Sequence, residues 1–334
     1  MSDCEIRTRE PGPDGTVAWP DRSMVEAAAE RIRPHVVETP LERFSAIDDM
    51  LGCELLLKGE HRQAGGAFKA RGACNAVFSL DEAQASRGVA THSSGNHAAA
   101  LARAASLRGI PAHVVMPRDA ARPKREATAR WGARIIDCEA TMESRIETLD
   151  AVMAETGARL VHPYEDTQVM AGQGTVALEL LPALRESDCV LVPLGGGGLI
   201  SGMSLFLAEA RPGLRIIGVE PAGADDALRS LESGVLTPVR PDTIADGLRA
   251  TIGRSNLAIV RRHVDQVVTV SDAAIREAMR LLWQLAGQVV EPSGAVTLAA
   301  LLEGRVKPEG RAVGVVTGGN VDRARFPFLA ETPL

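Results

Sequence analysis

Short apolar runs alternate along this chain with alanine-rich stretches whose apolar positions recur at helical spacing. The runs predict strands at 54–58, 89–92, 112–116, 134–137 and 159–162. The second half repeats the theme, with strands predicted at 190–193, 215–220, 266–270 and 312–316. Helices are predicted between them, most clearly over 98–108, which stops before Gly109, and over 199–210 and 272–286. Ser23 is the expected N-cap of a helix from 24 towards 33. Residues 1–22, rich in Pro, Gly and charge, predict a loose arm.

Such alternation favours parallel sheets with helices on both faces, an α/β fold. The strands within 81–166 suffice for a small domain, leaving 23–80 and 167–334 to form a large one. Two open, twisted lobes are therefore expected, with a cleft of the kind that commonly takes ligands.

Composition narrows the choice of partner. Of 334 residues 45% are hydrophobic, enough for a sizeable core, and the formal net charge is −6. That balance argues against nucleic acid, as does an aromatic content of 3%, too low for base-stacking platforms. No apolar run is long enough to cross a bilayer, and no signal-peptide pattern opens the chain. Cys4, Cys53, Cys74, Cys138 and Cys189 are scattered without CxxC spacing, which predicts reduced thiols in a cytoplasmic protein.

Four stretches carry chemistry. AGGAFKARGA, at 64–73, sets Lys69 among small residues and glycines, where a ligand approaches the backbone closely. A lysine amine of lowered pKa there forms a Schiff base with an aldehyde; a solvated surface lysine is the plainer reading. PLGGGGLISG, at 193–202, joins a predicted strand to a predicted helix, so its backbone N–H groups suit a phosphate. It lacks the GK[ST] of a Walker loop and the GxGxxG spacing, and a flexible turn is its alternative. SSGNHAAALA, at 93–102, offers hydroxyls, an amide and N–H groups to a carboxylate or phenolic oxygen, or else ordinary N-capping by Ser94 or Asn96. His97 carries no chemistry of its own on this reading. TGGN, at 317–320, ends a predicted strand, where ligands gather in open α/β sheets, or is a plain turn.

Together these stretches resemble the fold-type II pyridoxal-phosphate enzymes (tryptophan synthase β-like), within them the serine/threonine dehydratase and serine racemase group. The resemblance runs from 24 to about 328, supported by MESR, HPYED, AGQGT, EPAGADD and TIADGL. It implies that Lys69 carries pyridoxal 5'-phosphate, that Phe68 packs on the ring, and that Gly195, Gly196, Gly197, Gly198 and Leu199 bind the phosphate. Asn96 would meet the phenolic oxygen, and Thr317 stands where the family has Ser or Cys beside the pyridine nitrogen. The substrate carboxylate would lie on the loop of Ser93, Ser94, Gly95 and His97, with Arg145 assisting; a surface arginine is the other reading there. Ser94 matches the second acid/base of racemases. Glu220, the Ala224 carbonyl and Asp226 match a divalent-cation site, suited to Mg²⁺, Ca²⁺ or Mn²⁺. A homodimer is the expected assembly.

The implied activity is dehydration and deamination of a β-hydroxy amino acid to a 2-oxo acid and ammonia. Alternatives are racemisation, β-replacement and non-catalytic cofactor binding. The family's Thr or Ser near the lysine is absent at Ala64, Gly65, Gly66 and Ala67, and Ala99 stands where a Gln is common. Arg249 and Ala250 follow DGL, where racemases tend to have a serine. These losses imply a bulkier or unusual β-hydroxy substrate.

Overall fold

The computed structural model describes residues 18–120 and 122–330. Most of the arm expected over 1–22, Cys4 included, lies outside the described residues. Asp21, not Ser23, caps the first helix: its carboxylate accepts from the Met24 N–H at 2.8 Å, and the Ser23 hydroxyl donates to it. An ionised acceptor makes the stronger cap, so α1 spans Arg22–Ile32.

Leu41–Arg43 (β1), Ser45–Leu51 (α2) and Leu55–Lys58 (β2) follow. Lys69–Phe78 (α3) and Glu82–Arg87 (α4), the latter opened by an Asp81–Gln84 capping box, lead to Val89–His92 (β3). Asn96–Arg108 (α5), Ala112–Pro117 (β4), Arg122–Ala129 (α6) and Arg134–Cys138 (β5) alternate as expected. Met142–Thr156 (α7), Arg159–Leu160 (β6) and Thr167–Leu180 (α8) come next. The second half holds Cys189–Pro193 (β7), Gly198–Ala210 (α9), Arg215–Pro221 (β8), Asp226–Ser233 (α10) and Arg254–His263 (α11). Gln266–Val270 (β9), Asp272–Ala286 (α12), Pro292–Leu302 (α13) and Ala312–Val315 (β10) complete it. Among the described residues no helix is long and apolar enough to cross a membrane.

The chain divides into two compact units. One holds the chain up to Val36 together with Lys69–Gln173; the other holds Val37–Phe68 and the chain from Gly174 on. In the first, four parallel strands run in the order β5-β4-β3-β6. Their side chains alternate between faces. Val89 and Ala112 join an apolar cluster with Ala73, Ala76 and Val77 of α3 and Leu101 of α5, whereas Ala90 and Val115 pack with Leu149 and Val152 of α7. This shared burial is what groups α3 with the four-stranded sheet.

The second unit has six strands, ordered β1-β2-β10-β7-β8-β9. All neighbours are parallel except β1, which pairs antiparallel with β2. Its core joins Leu55, Leu191, Ile217 and Val268 of the strands to Ile275 of α12 and Val296 of α13. Val313 of β10 stands opposite Leu56 and Val190, so the loops after β2, β7 and β10 emerge at one carboxyl edge. Those loops carry Phe68, the glycine run and TGGN.

Candidate active site

Within the four-stranded unit the site is built around Lys69, the first residue of α3. Its Nζ donates to the Pro163 carbonyl at 2.8 Å. Burial of the amine lowers its pKa to about 8, because the charged form loses hydration. The turn after β3 presents Ser93, Ser94, Gly95 and Asn96, all half-buried. Ser93 Oγ accepts from the Gly95 N–H at 3.3 Å, and Gly95 itself is the N-cap of α5, with no side chain capping it. The alternative reading, in which Ser94 or Asn96 is the N-cap, does not hold, since Gly95 occupies that position. The first turn of α5 is left as an anion-seeking end.

Three imidazoles line this neighbourhood. His97 Nε2 pairs with the Val161 carbonyl at 3.1 Å, and burial, then the Lys69 charge, brings its pKa down to about 3. His162 Nδ1 accepts from the Glu165 N–H at 2.9 Å, which fixes the proton on Nε2; burial pushes its pKa well below the usual value. His92 falls to about 4 through burial and the nearby Arg145 guanidinium. All three stay neutral, so the positive charge here is that of Arg145 and protonated Lys69. Arg145, on α7, is half-buried, and among the described residues no carboxylate pairs with it.

In the six-stranded unit the two glycine-containing loops are laced together. The Phe68 N–H donates to the Thr317 carbonyl at 3.1 Å, Ala67 bridges to Gly318, and the Gly319 N–H reaches the Gly66 carbonyl at 2.9 Å. Asn320 Nδ2 donates to the Gly65 carbonyl at 2.8 Å. Gly66 has φ +77°, and a Cβ there would lie 2.4 Å from Asn320 Oδ1, so the lysine loop needs glycine at this crossing. Ala67 is buried against this lacing, and its methyl fills space there. Thr317 is buried, and its hydroxyl donates to the Ser293 carbonyl at 3.2 Å.

Gly197, the third glycine of the run, has φ +93° and caps α9 without a side-chain partner; Gly198 and Leu199 form the first turn. Gly195, Gly196, Gly197 and Gly198 thus bring an uncapped helix start and small backbone to one place, which fits a phosphate. Farther along, Glu220 at the end of β8 accepts from the Ala227 and Leu228 N–H groups at 3.1 and 3.0 Å and so caps α10. Asp226 Oδ2 accepts from the Ile252 N–H at 2.7 Å. Burial raises Glu220 to about 8 and Asp226 to about 6, with the Asp226 charge adding to the rise at Glu220. Ala224 is buried in the short turn between them. Among the described residues no cluster of three or more His, Cys, Asp or Glu side chains could hold a metal.

His92, His162 and the Pro163 carbonyl escaped the sequence reading. HPYED stood out only as a supporting motif, and a backbone oxygen leaves no mark in a sequence.

Comparison with known proteins agrees with this chemistry. The beta-hydroxyaspartate dehydratase of Paracoccus denitrificans (strain Pd 1222) is 48% identical over 304 residues, covering 90% of this chain and 96% of that protein. Serine racemase from Arabidopsis thaliana is 48% identical over 305 residues, covering 89% and 92%. The solved structure of maize serine racemase is similar with a TM-score of 0.89 and 45% identity, covering 92% of this chain and 96% of that one. The family profile described as "Pyridoxal-phosphate dependent enzyme" matches residues 32–318, and the chain belongs to that family.

Proposed function

We propose that this enzyme converts a β-hydroxy amino acid to a 2-oxo acid and ammonia, and that its substrate is a 3-hydroxyaspartate. The observation that carries the reaction is the buried Lys69 amine with its pKa near 8, a base poised for proton transfer near neutral pH. Bound pyridoxal phosphate supplies an electron-withdrawing ring that stabilises negative charge at the substrate Cα. Lys69 would hold the cofactor covalently and, once released, take the α-proton. The β-hydroxyl leaves as water, and hydrolysis of the resulting enamine gives the 2-oxo acid and ammonia. Gly195 to Leu199 would hold the cofactor phosphate, Phe68 the ring, Asn96 its phenolic oxygen and Thr317 the ring nitrogen. Ser93, Ser94, Gly95 and His97 would seat the α-carboxylate.

The second carboxylate of hydroxyaspartate is supported by Arg145, a half-buried guanidinium that no carboxylate pairs among the described residues, and by the likeness to the Paracoccus beta-hydroxyaspartate dehydratase. Racemisation is the second reading, because the Arabidopsis relative is a serine racemase and Ser94 offers a hydroxyl on the turn after β3. A divalent cation held by Glu220, Asp226 and the Ala224 carbonyl belongs to the same proposal, supported by two buried carboxylates whose pKa values rise. So do a homodimer and a cytoplasmic setting, the latter supported by free thiols at Cys53, Cys74, Cys138 and Cys189.

The test is release of 2-oxo acid and ammonia from both 3-hydroxyaspartates, L- and D-serine, L-threonine and phenylserine. A hydroxyaspartate should exceed serine in kcat/KM by roughly tenfold or more, the worth of a charge-assisted contact. Preference for serine or threonine removes the dicarboxylic substrate. Silence across the panel, with the visible band of lysine-bound cofactor intact, turns the assignment to racemisation.

A further inference from the structure

The geometry points to Asn256 as the residue that aims the phosphate-binding loop, an inference that rests on assigning 195–199 to the cofactor phosphate. Asn256 lies in the first turn of α11 and is 0% exposed. Its Nδ2 donates to the Gly196 carbonyl at 2.7 Å, and the Gly253 N–H donates to the same oxygen at 3.2 Å. Two donors occupy both lone pairs of that oxygen. In a trans peptide the carbonyl and the following N–H point in opposite directions, so fixing the Gly196 oxygen towards α11 turns the Gly197 N–H away from it. That is the orientation an anion at the start of α9 requires.

Asn256 supplies the side-chain donor that holds this orientation, beside the backbone donor of Gly253. Four consecutive glycines leave the peptide planes free to rotate, and a flipped Gly196–Gly197 peptide would present a carbonyl oxygen to the phosphate. Gly197 also rests directly on the asparagine: a Cβ there would lie 2.6 Å from Asn256 Cβ. The platform beneath is itself fixed, since Asp226 Oδ2 accepts from the Ile252 N–H beside Gly253. Asn256 is therefore a positioning residue, acting through the loop. An aspartate in its place would set a carboxylate against a carbonyl and add negative charge near a phosphate.

The test compares pyridoxal phosphate with pyridoxal, which lacks the phosphate. The full-length chain, stripped of cofactor with hydroxylamine, is titrated with each and followed by the visible absorbance of the lysine-bound form. Asn256→Ala should weaken pyridoxal phosphate roughly tenfold to a hundredfold, the range for a lost hydrogen bond to a charged partner, while leaving pyridoxal unchanged. Asn256→Asp, of the same shape, should weaken pyridoxal phosphate further. Equal losses for both ligands, or wild-type binding of both by both variants, overturns the proposal. Gly197→Ala separates the two assignments, because its Cβ disturbs the loop itself. If Gly197→Ala loses pyridoxal phosphate selectively and the Asn256 variants do not, Asn256 alone is excluded. If Gly197→Ala binds pyridoxal phosphate like wild type, the phosphate assignment fails and the role of Asn256 with it.

Discussion

At Lys69 burial does the work that a neighbouring acid or base does elsewhere. An ordinary lysine with a pKa near ~10.4 is almost wholly protonated at neutral pH and cannot attack an aldehyde. Bringing the pKa to about 8 makes about a tenth of the amine neutral at that pH, and about half at pH ~8. The sign is clear: desolvation penalises the charged form, so the nucleophilic form gains. Capture of pyridoxal phosphate by cofactor-stripped enzyme should therefore accelerate from pH ~6 to ~8 and level off above. A rate still climbing at pH ~10 would show an ordinary lysine. Lys69→Ala should lose both the visible cofactor band and 2-oxo acid formation. Arg145 makes a prediction of a different shape. Replacing it with leucine should raise KM for hydroxyaspartate roughly tenfold or more and leave KM for serine within about twofold, since only the former has a second carboxylate. Equal effects on the two substrates would return Arg145 to a structural role.

Among the elements, α10 is where the proposed cation can be tested. Glu220 caps the helix with one carboxylate oxygen on the Ala227 N–H and the other on the Leu228 N–H, so a glutamine's single amide oxygen keeps one of the two bonds. Cation binding needs the charge. Mg²⁺, Ca²⁺ or Mn²⁺ at a hundred times Kd should add ~2.7 kcal/mol of stability, visible as a rise in Tm. Glu220→Gln should fold and lose that rise. A wild-type Tm indifferent to all three ions removes the cation from the proposal. How far such elements were legible depended on where their stabilising contacts lie. The predicted bounds of β3, β9 and α12 match the structure, and α12 is bracketed by local signals, a Ser271 cap and Gly287. β1 passed unseen because Leu41, Glu42 and Arg43 carry no alternation; pairing with β2 alone makes them a strand. β6 stops at Leu160, two residues short of the expectation, because the His162 ring turns the chain by accepting from the Glu165 N–H. The site divides the same way. Glycine loops announce themselves, whereas Asn256 stands 60 residues beyond the carbonyl it holds, with nothing local to mark it.

For the whole molecule, the chain passes three times between the two units, at 36–37, 68–69 and 173–174, so neither is a contiguous segment. Cysteines report on each core separately. Cys74 belongs to the cluster of α3 and α5, Cys138 to the opposite face of the four-stranded sheet, and Cys189 to the six-stranded unit, while Cys53 is half-buried. Burial raises Cys74 and Cys189 to about 11, so at pH ~8 about one thiol in a thousand is ionised even before access is considered. Labelling by a thiol reagent should then follow structure, not sequence order. Cys53 should react first in the native protein. Cys138, on the edge strand β5, should follow by local opening, and Cys74 and Cys189 should wait for the unit around each to open. Mass spectrometry of peptides after timed labelling reads all four rates at once. Mild denaturant should accelerate Cys74 and Cys189 far more than Cys53, because their exposure requires a core to come apart. Native labelling of Cys74 or Cys189 as fast as Cys53 would mean that the core around that thiol is not closed as described.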